Sequence, residues 1–116
     1  MLNLTDAQWD ALFDEVDKTI LKAIDDLPPT IQKKAEQIEC IVDKYQFPLD
    51  RWKDMKVLGC YMAWTNGPIA IFAGQIYEDC KQNMEAAMQS VRQVYYHELA
   101  HAIGDLAEHE VQERGL

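Results

Sequence analysis

Two stretches of helical apolar spacing, one towards each end of the chain, most restrict the fold of this sequence. In residues 4–27, apolar side chains recur every three or four positions, and Thr5 or Asp6 can cap the helix. A second stripe starts after about Glu78 and comprises Met84, Met88, Val91, Tyr95, Leu99, Ala102 and Ile103. Each predicted helix therefore has one face that must be buried against another part of the chain.

The segment between these helices has the pattern of a small β-sheet. Pro28 and Pro29 end the first helix, because proline cannot continue the helical hydrogen bonds. Short apolar runs follow at residues 38–47, 57–64 and 69–72, and several of their residues are β-branched. The turn signal Thr65-Asn66-Gly67-Pro68 separates the last two runs. We therefore predict two or three strands, the last two joined as a hairpin.

The end of the chain predicts a break in the second helix. Gly104 is placed to stop it, and the segment from Asp105 to Glu108 has the form of a capping box. A short final helix to about Arg114 is expected. No linker divides the chain, and its 116 residues, 48% of them apolar, fit one domain over 1–116. The predicted class is α+β, with an N-terminal helix, a small two- or three-stranded sheet, a second long helix and a short C-terminal helix.

The net charge indicates which partners are disfavoured, and the cysteines indicate where the protein is located. Asp and Glu number 20 against 11 Lys and Arg, giving a net charge of −9, which disfavours nucleic acid and anionic membranes. No apolar run approaches the ~20 residues that span a bilayer, and the start of the chain has no secretory signal. Cys40, Cys60 and Cys80 lack CxxC spacing, which predicts reduced thiols and a cytoplasmic location.

The residues that carry chemistry are His97-Glu98-Leu99-Ala100-His101, an HExxH motif on the second helix. Histidines four positions apart lie one turn apart on the same helical face, so both imidazoles can bind one metal ion. The intervening Glu98 is rotated away from them and can contact a metal-bound water. The motif predicts Zn²⁺ held by His97 and His101, with Glu98 as the catalytic base of peptide hydrolysis.

A third metal ligand is expected from the fifteen residues after His101. Such a short tail leaves no room for the distant glutamate helix of thermolysin-like enzymes. The HExxHxxGxxH pattern of metzincins is half complete, since Ala107 occupies the third histidine position. The remaining candidates are Asp105, Glu108, His109, Glu110 and Glu113. If Gly104 turns the chain back, Glu108 fits best and His109 next, and a His-His-Glu set suits a catalytic zinc.

With HExxHxxG at residues 97–104, so near the C-terminus, the chain resembles the minimal zincin-like metallopeptidase family of small bacterial proteins. The likeness covers nearly the whole chain and includes Asp26-Leu27-Pro28, Leu58-Gly59-Cys60-Tyr61, Gly67-Pro68-Ile69-Ala70-Ile71-Phe72 and the acidic tail from Glu108 to Glu113. It implies an α+β fold with an active-site helix, and peptidase activity. Two departures are the Ala102-Ile103 pair, where members often carry histidine and an aromatic residue, and a segment after Gly104 that is one residue longer.

Three functions fit these residues. In a zinc metallopeptidase, a peptide or protein substrate would lie along a strand edge, which we expect at residues 69–72, and Tyr61, Tyr95 or Tyr96 could stabilise the oxyanion. The alternative is a non-catalytic zinc-binding interaction or regulatory module, which the small size favours. The third is a helix-rich adaptor in which the motif arose by chance.

Overall fold

A computed structural model describes residues 2–63 and 67–113, of which 105–113 are described by their backbone alone. The helices in these residues are α1 (Asp6–Asp25), α2 (Pro29–Glu36), α3 (Ala73–Asp79) and α4 (Met84–Glu113). The strands are β1 (Cys40–Asp43), β2 (Gly59–Tyr61) and β3 (Ile69–Phe72), and a 3-10 turn spans Asp50–Trp52. The predicted α+β class is confirmed.

The first helix begins at a capping box. The Thr5 hydroxyl accepts a hydrogen bond from the Gln8 amide, and the Gln8 side chain accepts one from the Thr5 amide, so two N-terminal donors are satisfied. The apolar face of α1 is buried through Trp9, Leu12, Val16, Ile20 and Ala23. The prolines after α1 do end it, but Pro29 also begins α2. The helix α2 was not predicted from the sequence, although proline is favoured at the first helical position.

The sheet has the order β1-β3-β2, with β1 parallel and β2 antiparallel to β3. The antiparallel pairing, with Cys60 opposite Ala70, confirms the predicted hairpin partners. The predicted turn residues Thr65 and Asn66 lie outside the described residues. All four residues of β3 are buried, and the strand is paired on both sides. The expectation that residues 69–72 offer a strand edge to a substrate is therefore wrong.

Alternate side chains of β3 enter two different apolar clusters, as the two-residue period of a strand requires. Ile69 and Ile71 join the larger cluster, formed with the buried faces of α1 and α4. Ala70 and Phe72 join a smaller one on the opposite face, with Trp52 and Cys60. There the rings of Phe47, Trp52 and Phe72 contact one another at centroid distances of 5.1 to 6.1 Å. The sheet thus lies between a helical layer and a layer built from the 47–57 segment.

The long helix α4 buries the predicted stripe, including Val91, Tyr95, Leu99 and Ala102. Its 30 residues run without a break through Gly104, so the predicted helix end at Gly104 and the separate short C-terminal helix are wrong. The physical reason is that Gly104 does not adopt the left-handed conformation that would reverse the chain, and nothing lies within 4 Å of its missing Cβ. No described helix is long and apolar enough to cross a bilayer.

Candidate metal centre

The two motif histidines lie side by side on the face of α4 that points away from the core. Both are exposed, whereas Leu99 between them is buried. The imidazole centroids of His97 and His101 are 4.9 Å apart, with their planes at 79°. The histidines therefore project away from the apolar stripe of α4. This leaves their nitrogens available on the surface.

The spacing of the two rings fits a shared zinc ion. Zinc binds imidazole nitrogen at about 2.0–2.1 Å with tetrahedral angles, which places two ligating rings with their centroids about 5 Å apart. The measured 4.9 Å agrees with that value. His97 Nε2 also lies 3.8 Å from Glu98 Oε1, so a carboxylate lies beside this ring. The three motif side chains therefore lie close together at one turn of α4.

The described side chains contain no complete set of metal ligands. No cluster of three or more His, Cys, Asp or Glu residues that could hold a metal occurs among them. The side chains of all the proposed third ligands, Asp105, Glu108, His109, Glu110 and Glu113, lie outside the described residues, so each assignment stays a prediction. In an uninterrupted helix, position 108 lies about 10 Å beyond His101 along the axis. A contribution from Glu108 would thus need a change in the backbone between them.

Glu98 lies at the centre of a surface groove that runs beside the histidines. Its side chain is only 12% exposed, compared with 70% for His97. Glu98 lines two adjoining cavities of about 460 and 420 Å³, the first together with His97 and the second together with His101. Both cavities also share Met55, Val57 and Gly59. We call this continuous depression, lined by Met55, Val57, Gly59 and Glu98, the Glu98 groove.

Gly59 allows the edge strand β2 to approach α4 closely enough to form the groove. A Cβ atom at this position would lie 2.5 Å from Cγ1 of Val94 and 2.9 Å from the carbonyl oxygen of Ala70. Val94 is one helical turn before Glu98, on the same side of α4. Glycine is therefore required at position 59, where β2 passes α4.

The outer edge of β2 faces away from the rest of the sheet. The Leu58 carbonyl accepts a hydrogen bond from the Phe72 amide (2.9 Å), and the Met62 amide donates one to the Pro68 carbonyl (3.0 Å). Even-numbered residues therefore turn their backbone groups towards β3. By the alternation of an antiparallel pair, Gly59 directs its amide and carbonyl outward. The sequence predicted β3 as the edge strand, whereas the edge beside α4 is β2. The strand order could not be predicted, because it depends on the pairing of β1 with β3, which are distant in sequence.

A single amide side chain holds the outer wall of the groove in place. Gln46 Nε2 donates to the carbonyl oxygens of Trp52 (3.1 Å) and Met55 (2.9 Å), and its Oε1 accepts from the amide of Val57 (2.9 Å). Lys56 adds an ion pair with Asp79 at 2.8 Å. The wall is therefore fixed at three backbone positions. No local sequence signal indicates this role for Gln46, since its partners lie six to eleven residues away in an irregular segment.

The cysteine nearest the groove is a neutral thiol. Burial, and after it the nearby Glu98 carboxylate, raises the pKa of Cys60 to about 11. Cys60 lines the same cavity as His101 and Glu98. It is therefore protonated at neutral pH, when it is neither a nucleophile nor an anionic ligand.

The three tyrosines considered as oxyanion stabilisers differ in position. Tyr95 is buried in the core, and the Tyr96 hydroxyl donates to the Ala23 carbonyl at 2.6 Å, so both are engaged away from the groove. Tyr61 lines the cavity that contains Glu98 and His101. The choice among the three tyrosines stays a prediction.

Comparisons with known proteins found no match for this chain. No protein-family model matches it, and no curated protein or solved structure is significantly similar to it. Any function must therefore be argued from the motif and from the geometry of the groove.

Proposed function

We propose that the protein is a zinc-dependent metallopeptidase of the minimal zincin-like kind, with His97 and His101 as metal ligands. The observation that carries the proposal is the position of Glu98 in a groove that runs between a metal-spaced histidine pair and a strand edge. When bound, zinc would polarise the scissile carbonyl and lower the pKa of a water molecule towards ~7. Glu108, or next to it His109, is proposed to complete the ligand set.

Glu98 acts as the general base. Its carboxylate takes a proton from the attacking water and passes it to the leaving amine. Its low exposure supports this role, because a carboxylate shielded from bulk water exchanges its proton with the bound reactants. We propose that Tyr61, which lines the same cavity as Glu98 and His101, donates a hydrogen bond to the carbonyl oxygen as it gains charge.

The substrate is proposed to be an extended peptide that pairs with the outer edge of β2. The backbone of Gly59 offers an outward amide and carbonyl beside Glu98, and strand addition uses such groups. A strand bound there would lie along the cavities that Gly59 and Glu98 both line. This replaces β3, the strand expected from the sequence.

We further propose a cytoplasmic protein with peptide or protein partners. Cys40, Cys60 and Cys80 are unpaired, as expected in a reducing compartment. The net charge of −9 argues against nucleic acid and anionic membranes as partners.

A second candidate function is a zinc-binding module that cleaves nothing. The observation that favours it is the 70% exposure of the His97 side chain, since catalytic metal sites usually exclude bulk water. The two functions predict the same metal content but different chemistry.

The test combines metal analysis with peptide cleavage. We expect the purified protein to bind zinc and to cleave members of a mixed peptide library, with cleavage lost on chelation and restored by zinc. Glu98→Gln should reduce kcat/KM by about a hundredfold or more while zinc stays bound. Glu85→Gln, an exposed carboxylate in the first turn of the same helix, is the matched control and should change neither property.

The outcomes separate the candidates. Zinc binding without any cleavage supports the non-catalytic module, and full activity in Glu98→Gln rejects the proposed mechanism. A wild-type protein that binds no zinc, or His97→Ala and His101→Ala variants that bind it normally, would overturn the proposal as a whole.

A further inference from the structure

We infer that the Glu98 groove selects bulky apolar side chains, so that the substrate is an extended peptide with apolar residues on both sides of the cleaved bond. This deepens the proposed function and rests on it for the cleavage step. The recognition step depends only on the groove and can be measured without metal.

Apolar side chains line the groove on both sides of Glu98, beside polar groups that include the histidines and Tyr61. On the His97 side, Val57, Leu58 and Val94 line the cavity of about 460 Å³. On the His101 side, Trp52 and Ala63 line the cavity of about 420 Å³. Met55 contributes to both and is 58% exposed, so its apolar surface is open to a ligand. Each cavity exceeds the volume of one large side chain.

The charges of the groove disfavour acidic substrates. Glu98 contributes a carboxylate to both cavities. Among the described residues that line them, the one amine is Lys56, and it is already paired with Asp79 at 2.8 Å. An aspartate or glutamate next to the cleaved bond would therefore place a second carboxylate beside Glu98, and like-charge repulsion disfavours that arrangement.

The shape of the groove favours a peptide over a compact apolar molecule. Gly59 on the edge of β2 borders both cavities, so one backbone edge passes along the whole groove. Successive side chains of an extended peptide point to opposite sides at intervals of about 3.3 Å. A chain paired with β2 can thus direct neighbouring side chains into the two cavities on either side of Glu98.

The test compares two blocked hexapeptides, one with phenylalanine and leucine at its central positions and one with glutamate at both. We expect the apolar peptide to be cleaved with a kcat/KM at least about tenfold higher, and to bind metal-free protein more tightly in fluorescence anisotropy. Met55→Glu should weaken that binding by about tenfold, because it places a carboxylate in both cavities. Leu21→Glu, a matched change at a 64% exposed position on α1, should leave binding unchanged.

Circular dichroism should show that both variants fold, as expected at exposed positions, and Met55→Ala provides a milder second variant with a smaller loss. Equal cleavage of the two peptides would overturn the inference while the peptidase stands. Equal effects of Met55→Glu and Leu21→Glu would also overturn it. Apolar binding that Met55→Glu abolishes, without cleavage of any peptide, would support the groove and reject the peptidase.

Discussion

At the scale of single residues, Tyr95 and Tyr96 show how neighbouring side chains of one type can have opposite energetic roles. The Tyr96 hydroxyl donates to the Ala23 carbonyl and so ties α4 to α1. The Tyr95 hydroxyl is buried and has no hydrogen-bond partner among the described residues. Its burial raises the pKa of Tyr95 to about 12, with Cys40 and Tyr96 contributing less. One hydroxyl therefore stabilises the fold, and the other carries a desolvation penalty.

The Tyr95→Phe variant should accordingly be more stable than the wild type. Removing an unpaired buried hydroxyl removes a penalty of about 1–3 kcal/mol, so we expect the free energy of unfolding to rise by about 1 kcal/mol. Tyr96→Phe is the matched control and should lower it by about 1 kcal/mol. Urea denaturation of the three proteins measures both values. A clear loss of stability in Tyr95→Phe would mean that its hydroxyl has a partner after all.

The relative positions of the motif side chains were predictable from sequence, and the groove around them was not. His97, Glu98 and His101 belong to one helical turn, where spacing alone determines their relative positions. Met55 and Val57 meet Glu98 only because Gln46 fixes an irregular segment against the edge of the sheet. Contacts between segments so distant in sequence leave no periodic pattern to detect.

At the scale of elements, Gly59 and Gly104 occupy positions with different structural requirements. Gly59 is needed for the close approach of β2 to α4, whereas Gly104 lies in a continuous helix with open space around it. Gly104→Ala should therefore raise the free energy of unfolding by about 0.5–1 kcal/mol, because alanine is the better helix former. Gly59→Ala, with a Cβ 2.5 Å from Val94, should lower it by about 1–3 kcal/mol.

Chemical denaturation of the two glycine variants checks these signs, and a zinc titration of Gly104→Ala adds information on the third ligand. If Glu108 joins the histidines through a turn at Gly104, the variant should bind zinc more weakly even though it is more stable. Lower stability of Gly104→Ala would contradict the continuous helix.

The elements that sequence analysis found are those with long local patterns. The stripes of α1 and α4 predicted both helices, because an amphipathic helix repeats its pattern over many turns. The short helices α2 and α3 were missed, since seven or eight residues after a proline or a strand give too few repeats. Likewise, β3 became the central strand only through its parallel pairing with β1, about thirty residues earlier.

At the scale of the whole molecule, the buried Cys60 and Tyr95 and the half-buried Cys40 make stability depend on alkaline pH. Burial is the main cause that raises the pKa of Cys40 to about 12, of Cys60 to about 11 and of Tyr95 to about 12. Unfolded thiols lose their protons near pH 9, so above that pH the folded protein holds protons that the unfolded chain has released. Stability should be complete below pH 9 and fall as the pH rises towards 12.

Urea denaturation at pH 7, 9 and 10.5 measures this slope. We expect little change up to pH 9 and a clear decrease by pH 10.5. Cys40→Ala should have a shallower decrease than the wild type, whatever its stability at pH 7, because one of the linked protons is gone. A wild-type protein equally stable at pH 7 and pH 10.5 would show that these groups are not buried as described.

The apolar stripe and the HExxH motif lie on the same continuous helix, α4. The number of residues between them therefore fixes the direction in which the histidines point relative to the core. Each inserted residue would rotate everything beyond it by about 100° around the helix axis. One extra residue between Val91 and His97 would turn either the histidines inward or the apolar stripe outward. The 44–58 segment has no such phase to keep. Insertions and deletions should therefore be tolerated better in the groove wall than in α4 between Val91 and His101.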